Sequence, residues 1–341
     1  MTISVILSLI ILTPIAKLFV NPMGINVIEN FDGVTDLRLQ AYSFYPNLGE
    51  GFSPCKYNNE GYSNLFDYEN GMSIDVLLMG NSNILASNII QKYSTANLLI
   101  NLTYKKIYNI GMFKHYFATC AVNLKKAVEK YKPSEYIVLE IMSASFTDEE
   151  LKNILSQKVE KVRVITSKET NKSDFVRRIY YRYVRPDLHK ILTHSSVLNL
   201  IYTQLLALLK HNLNEKIISY EYSTSQNNPV LLSQVLKRMA ETAKSYGAKL
   251  IIAYHPLVEL ENDGSLKILG DNKAVKVFAD ACEQNGIYFI DMSKRFLSEY
   301  KKNYTVPTGF FNTSIASGHM NKDGHRMFAE EIYKLMQKIE K

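Results

Sequence analysis

Two side chains near opposite ends of the chain, Ser82 and His319, are of the types that perform nucleophilic chemistry together. Ser82 lies in DVLLMGNSN, Asp75 to Asn83, and His319 in GHMNKDGH, Gly318 to His325. A serine hydroxyl is a poor nucleophile until a positioned base takes its proton, and imidazole is suited to that task near neutral pH. The first stretch reads as a buried strand that ends in a tight turn and presents Ser82, with Gly80 permitting the sharp bend. The second places His319 on a loop leading into the final helix. Such a serine and histidine meet only if a parallel α/β sheet brings the end of the first core strand to the last loop.

The elements needed for that meeting are visible. Val76 to Met79 is a continuous apolar run, as expected of a strand covered on both faces. Lys106 to Ile110, Tyr136 to Ile141, Leu250 to Tyr254 and Tyr288 to Ile290 are the further strand candidates, with helical stretches between them. Pro133 reads as a break before the third. The helix before the fourth carries its own punctuation: Asn228 as cap, Pro229 in the first turn and Gly247 as stop. Leu232, Val235, Leu236, Met239 and Ala243 recur at helical spacing and are expected to face the sheet. The fold class expected is α/β, a three-layer α/β/α sandwich on a mostly parallel sheet of about five strands, with a helical insertion at about 148–222.

Three segments precede or interrupt this pattern. Residues 1–20 are almost wholly apolar, broken by Thr13, Pro14 and Lys17, and read as a membrane anchor, a signal segment or a buried helix. The first two place the rest of the chain outside the cytoplasm, anchored to the membrane or secreted. Residues 21–71 read as a connecting segment whose many aromatics need burial, and 72–341 as the α/β domain with its insertion. Acids outnumber bases eight to two from Gly24 to Asp75, whereas bases outnumber acids thirteen to five from Leu151 to Tyr220. The densest basic stretch, Arg177 to Arg185, interleaves arginine with tyrosine. A solvated helix face explains it more simply than anionic lipid or an acidic polymer, and no nucleic-acid motif accompanies it. Cys55, Cys120 and Cys282 are too few and scattered for a disulfide framework or a zinc site, and no metal or cofactor is expected. G-x-G-x-x-G is absent, and Ile84 stands where a G-x-S-x-G elbow would need glycine.

On DVLLMGNSN, YNIG (Tyr108 to Gly111), YIVLEI (Tyr136 to Ile141) and GHMNKDGH, the chain resembles the SGNH (GDSL-like) hydrolase superfamily. KYNNEGY (Lys56 to Tyr62) and GFFNTSIASGHMN (Gly309 to Asn321) are similar to segments of secreted or membrane-anchored members. The resemblance implies Ser82 as nucleophile, His319 as general base and the backbone N–H of Ser82 as an oxyanion donor. His325 reads as structural. Four positions depart from the family pattern. Asn81 replaces the aspartate after glycine, and Ala316 stands three before the histidine where the acid usually lies. Lys114 aligns with the second-block glycine better than Gly111 does, and Ala144 takes the place of the third-block asparagine. A Ser–His dyad oriented by a backbone carbonyl, with Gly111, Ser143 or Asn109 as substitute donors, is the expected arrangement.

Each of these residues also has a plainer reading. A serine after a strand is often a helix cap. His255, beside Pro256, reads as a loop histidine, and Asp291 as a cap for a helix beginning near Ser293. The expected activity is an esterase or O-acyltransferase acting on acyl, most simply acetyl, groups of a cell-surface carbohydrate. The alternative is a degenerate member of the fold that binds a glycan or envelope partner. The oligomeric state is not legible.

Overall fold

The computed structural model describes residues 50–51, 53–157 and 227–341, together with short stretches among residues 12–47. Contacts divide the chain into two units, residues 1–27 with 160–219 and residues 28–159 with 220–341; every element below belongs to the second. In chain order these are β1 (Phe44–Asn47), β2 (Ser53–Lys56), β3 (Ile74–Met79), α1 (Ser82–Leu85), α2 (Thr95–Thr103), β4 (Ile107–Asn109) and α3 (Phe117–Tyr131). There follow β5 (Pro133–Ile141), α4 (Asp148–Leu155), α5 (Pro229–Ser245), β6 (Lys249–Tyr254), β7 (Leu257–Leu260), β8 (Leu266–Leu269) and α6 (Asn272–Gln284). The last elements are β9 (Tyr288–Asp291), α7 (Ser293–Asn303), β10 (Thr308–Gly309), β11 (Ile315–Met320) and α8 (Lys322–Glu340).

Five strands form one parallel sheet in the order β9-β6-β5-β3-β4. The order reverses at β3, whose neighbours β4 and β5 lie on its two sides. In open α/β sheets such a reversal leaves a crevice beyond the strand ends, and Ser82 follows β3 directly. Burial explains the apolar runs. Val76, Leu78, Tyr136, Val138, Ile251 and Ala253 share a core with Leu99 of α2 and Met327, Phe328 and Ile332 of α8. Alternate strand residues, Leu77 and Ile137 among them, are equally buried and by the period of a strand point to the other face. There α3, α5 and α6 pack on one another and on the strands.

All five expected core strands occur, with ends displaced by up to three residues. The α5 punctuation also holds: the Asn228 side chain accepts from Val230 N–H and Leu231 N–H, with Pro229 in the first turn. Ala248 N–H and Gly247 N–H close back on Ala243 and Lys244 at the other end. Pro133 does not break the chain before the third strand but begins it, a position where its missing N–H costs no ladder bond. His319 is on a strand, not a loop. It belongs to β11, which pairs antiparallel with β10, because residues 308–320 form a hairpin rather than an open connection. Asp291 accepts from Ser293 N–H and Oγ–H at the start of α7, but it stands one residue before the N-cap position, which Met292 occupies. Cys55, Cys120 and Cys282 are all free and buried.

The apolar segment 1–20 (apart from Leu12), the basic stretch 177–185, the helix expected at 196–209 and most of the 148–222 insertion lie outside the described residues; α4 is the described part of that insertion. Among the described residues no helix is long and apolar enough to cross a membrane.

Candidate active site

The turn after β3 is shaped by Asn81, not by Ser82. Asn81 is the N-cap of α1, its side chain accepting from Asn83 N–H at 2.7 Å and from Asn83 Nδ2 at 3.1 Å. Ser82 is therefore the first helical residue, and its hydroxyl is released from capping duty. Its backbone N–H, at the helix start, has no intrahelical acceptor. Asn83 in turn accepts Met320 N–H at 2.8 Å, which ties the turn presenting Ser82 to the strand carrying His319.

That tie brings the two ends of the chain together. Ser82 Oγ lies 2.8 Å from His319 Nε2, both side chains only partly buried. The other imidazole nitrogen, Nδ1, lies 2.5 Å from Glu50 Oε2, and Glu50 Oε1 accepts the His319 backbone N–H at 2.7 Å. A carboxylate at Nδ1 only accepts, so in the neutral imidazole Nδ1 carries the proton and Nε2 presents its lone pair to the serine O–H. Burial pushes the Glu50 carboxyl upward, but the hydrogen bonds and charge of His319 outweigh it and hold the group below its ordinary value.

Glu50 replaces the backbone carbonyl expected to orient the imidazole. The position three before the histidine, Ala316, is buried in the left-handed region (φ 61°) and supplies no acid. Glu50 arrives instead from the connection between β1 and β2, inside the segment read as a connector. Gly318 makes its approach possible. This glycine has φ +80°, and any Cβ there would overlap the Glu50 carboxylate.

A second carboxylate lies beneath the turn. Glu140, near the end of β5, accepts Asn81 N–H at 2.8 Å on Oε2. Its Oε1 accepts Asn81 Nδ2 at 3.0 Å and His255 Nε2 at 2.6 Å. Glu140 and His255 are both about 1% exposed. His255 lies, as expected, in a loop, between β6 and β7, but it is buried there as a partner of Glu140. Its backbone N–H bonds Ile141 O, and its ring packs edge-on against Phe328. His325 is structural as expected, its Nδ1 taking bonds from Thr95 N–H (3.2 Å) and pairing with Thr95 Oγ1 (2.8 Å). Burial, reinforced by the charges of His255 and His319, pushes its pKa down to about 3.

The substitute oxyanion donors are committed elsewhere. Asn109 Nδ2 donates to Ile84 O at 2.8 Å, and its Oδ1 accepts Gly111 N–H at 2.8 Å. The pair braces the strand end against α1, where buried donors must find acceptors. Ser143 exchanges hydrogen bonds with Ser145, donating to its carbonyl and accepting its N–H, both at 3.2 Å. Among the proposed donors, Ser82 N–H alone stands at the serine. No group of side chains among the described residues is arranged to hold a metal ion.

Sequence reasoning missed Glu50 and Glu140. Glu140 had a local signal: a carboxylate inside YIVLEI, a run otherwise apolar because it is covered on both faces. Glu50 had none, being one of eight acids in its stretch.

No family model and no curated protein matches the chain. It is similar to several solved structures, all distant in sequence. A member of the lipolytic protein G-D-S-L family from Veillonella parvula is 12% identical over 77% of this chain and 97% of that one, with a TM-score of 0.38. An alpha/beta hydrolase enzyme from the metagenome of Lake Arreo is 11% identical over 78% and 95%, with a TM-score of 0.39. A GDSL-like lipase from Bacteroides thetaiotaomicron is 10% identical over 77% and 88%, with a TM-score of 0.36.

Proposed function

We propose that this chain is a serine ester hydrolase or O-acyltransferase working through Ser82, His319 and Glu50. One observation carries the reading: an uninterrupted relay from carboxylate to imidazole to hydroxyl, 2.5 Å and 2.8 Å per link, assembled from three distant segments. A buried core histidine or a capping serine has no use for that order of partners. In the reaction, Ser82 Oγ attacks the ester carbonyl carbon while His319 Nε2 takes the hydroxyl proton. The C–O bond to the leaving alcohol then breaks as His319 returns the proton to that alcohol. Water or a second alcohol next attacks the acyl-serine, again deprotonated by His319, and Ser82 is regenerated. Glu50 keeps the imidazole in the right tautomer and stabilises the imidazolium that forms. Ser82 N–H is placed to meet the developing oxyanion, an interaction of the kind that contributes most to acyl-transfer rates.

The substrate we infer is an acylated, most simply acetylated, cell-surface carbohydrate. Support comes from the resemblance to secreted and anchored SGNH enzymes and from the apolar residues 1–20, which fit a membrane anchor or signal segment with the domain outside the cytoplasm. The test is turnover of p-nitrophenyl acetate by the full-length protein beside Ser82→Ala. A fall of at least about 10³-fold is expected; equal turnover by the two proteins removes the serine mechanism. The commitment of Asn109 and Gly111 to structural bonds favours the second reading, a catalytically degenerate binder. That reading predicts no covalent labelling of Ser82 by a fluorophosphonate probe, and stoichiometric labelling eliminates it.

A further inference from the structure

Glu50 reaches His319 from a hairpin connection, and something must hold it there. The residue immediately after it, Gly51, is gripped by a single side chain. Asn312 accepts Gly51 N–H on Oδ1 at 2.9 Å and donates from Nδ2 to the Gly51 carbonyl at 2.9 Å. From the other side, Asn88 Nδ2 donates to the Glu50 carbonyl at 3.0 Å. Gly51 has φ +74°, and a Cβ there would run into the Asn88 carbonyl and stand 2.8 Å from the Phe310 ring. The backbone at Glu50–Gly51 is therefore confined between the loop after α1 and the loop joining β10 to β11.

That second loop belongs to the hairpin that carries His319. Asn312 thus fastens the acid-bearing connection to the same hairpin as the base, so that carboxylate and imidazole move as one body. Apolar contact at this point is partial: Phe311 is 89% exposed and Ile315 62%, while the half-buried Phe310 ring lies against Gly51. Two directed hydrogen bonds to both polar groups of one peptide residue fix the direction of that contact.

We propose that Asn312 is a positioning residue for the acyl chemistry. It sets Glu50 where one carboxylate oxygen meets His319 Nδ1 and the other meets the His319 N–H. This inference rests on the serine–histidine–glutamate reading above. It acts through Glu50, so its removal costs rate only while Glu50 can do its work.

A double-mutant cycle on the full-length protein tests it, with p-nitrophenyl acetate as probe and Ser82→Ala as reference. Asn312→Ala is expected to lower kcat about 10- to 100-fold, as a displacement of roughly 1 Å in a catalytic group does, with KM within about twofold. In a Glu50→Gln background the same change is expected to add no more than about twofold, since coupled residues fail to add. Asn312→Asp keeps the acceptor for Gly51 N–H and loses the donor, so its loss is expected to be intermediate; it replaces Asn312→Ala in the cycle if the latter does not fold. Asn312 variants within twofold of the parent, while Ser82→Ala is inactive, overturn the inference and leave the serine mechanism standing. Equal losses with and without Glu50 also overturn it, showing an independent structural role. Full activity of Ser82→Ala overturns both.

Discussion

Two glutamate–histidine pairs lie close to the same serine, and they do different work. In Glu50–His319 the contact is 2.5 Å and the side chains are 20% and 32% exposed. In Glu140–His255 it is 2.6 Å, and the side chains are 0% and 1% exposed. Contact chemistry is the same; what differs is where the remaining polar atoms lead. The free nitrogen of His319 faces Ser82 Oγ, whereas His255 Nδ1 finds no hydrogen-bond partner among the described residues. Apart from the His255 contact, the Glu140 oxygens go to Asn81, the cap of the turn that presents Ser82. One pair is wired to the hydroxyl and partly open to solvent, where a proton can be exchanged. The other is sealed in and wired to backbone, where it can only hold shape. A buried carboxylate–imidazole pair is thus no guide to chemistry until its outward partners are traced.

The comparison breaks most sharply at Glu50. Glu50→Gln is expected to lower kcat on p-nitrophenyl acetate by about 10³- to 10⁴-fold, about 4 to 5.5 kcal/mol of transition-state stabilisation, because a carboxamide no longer imposes the working tautomer. The melting temperature should barely move. Glu140→Ala should do the reverse in kind, costing about 3–5 kcal/mol of folding stability in urea denaturation. It strands His255 Nε2 and both Asn81 donors in the core. If Glu140→Ala leaves the denaturation midpoint unchanged, the sealed pair is not what holds the turn.

A smaller effect is expected at the glycine that lets Glu50 approach. Gly318→Ala puts a methyl group against the carboxylate and leaves a left-handed φ on an L-residue, which costs roughly 1 kcal/mol. An activity loss of about 10-fold or more should exceed what that destabilisation explains, measured as kcat beside the melting temperature. A further effect belongs to pH. His325 is held neutral in the fold down to about 3, while the unfolded chain protonates it near the ordinary value of 6.5. The unfolded state then binds more protons between those limits, so stability falls as pH drops through that window, by at most about 1.4 kcal/mol per pH unit. Replacing His325 by Gln should flatten that limb of the stability–pH curve; an unchanged slope would mean that other groups set it.

How far each pair was legible depends on how its geometry is encoded. Ser82 and His319 announce themselves locally, through a glycine turn after an apolar strand and a Gly-His before a helix. His255 was visible only as a histidine beside proline, because its partner comes from a neighbouring strand. The oxyanion candidates Gly111, Asn109 and Ser143 have partners within the fold that were hidden for a related reason. A strand-end position says that a polar group is near the crevice, not which acceptor claims it, and buried donors take the nearest.

Periodicity and punctuation along the chain determined the five core strands, the cap of α5, and the placing of Ser82 beyond a strand end. Those features depend on contacts within a few residues, where side-chain pattern and backbone preference act directly. Only the tertiary structure decided which acid meets the imidazole. A carboxylate needs a few ångströms of proximity, and nothing within its own hairpin records that the hairpin will be clasped by Asn312 and admitted by Gly318.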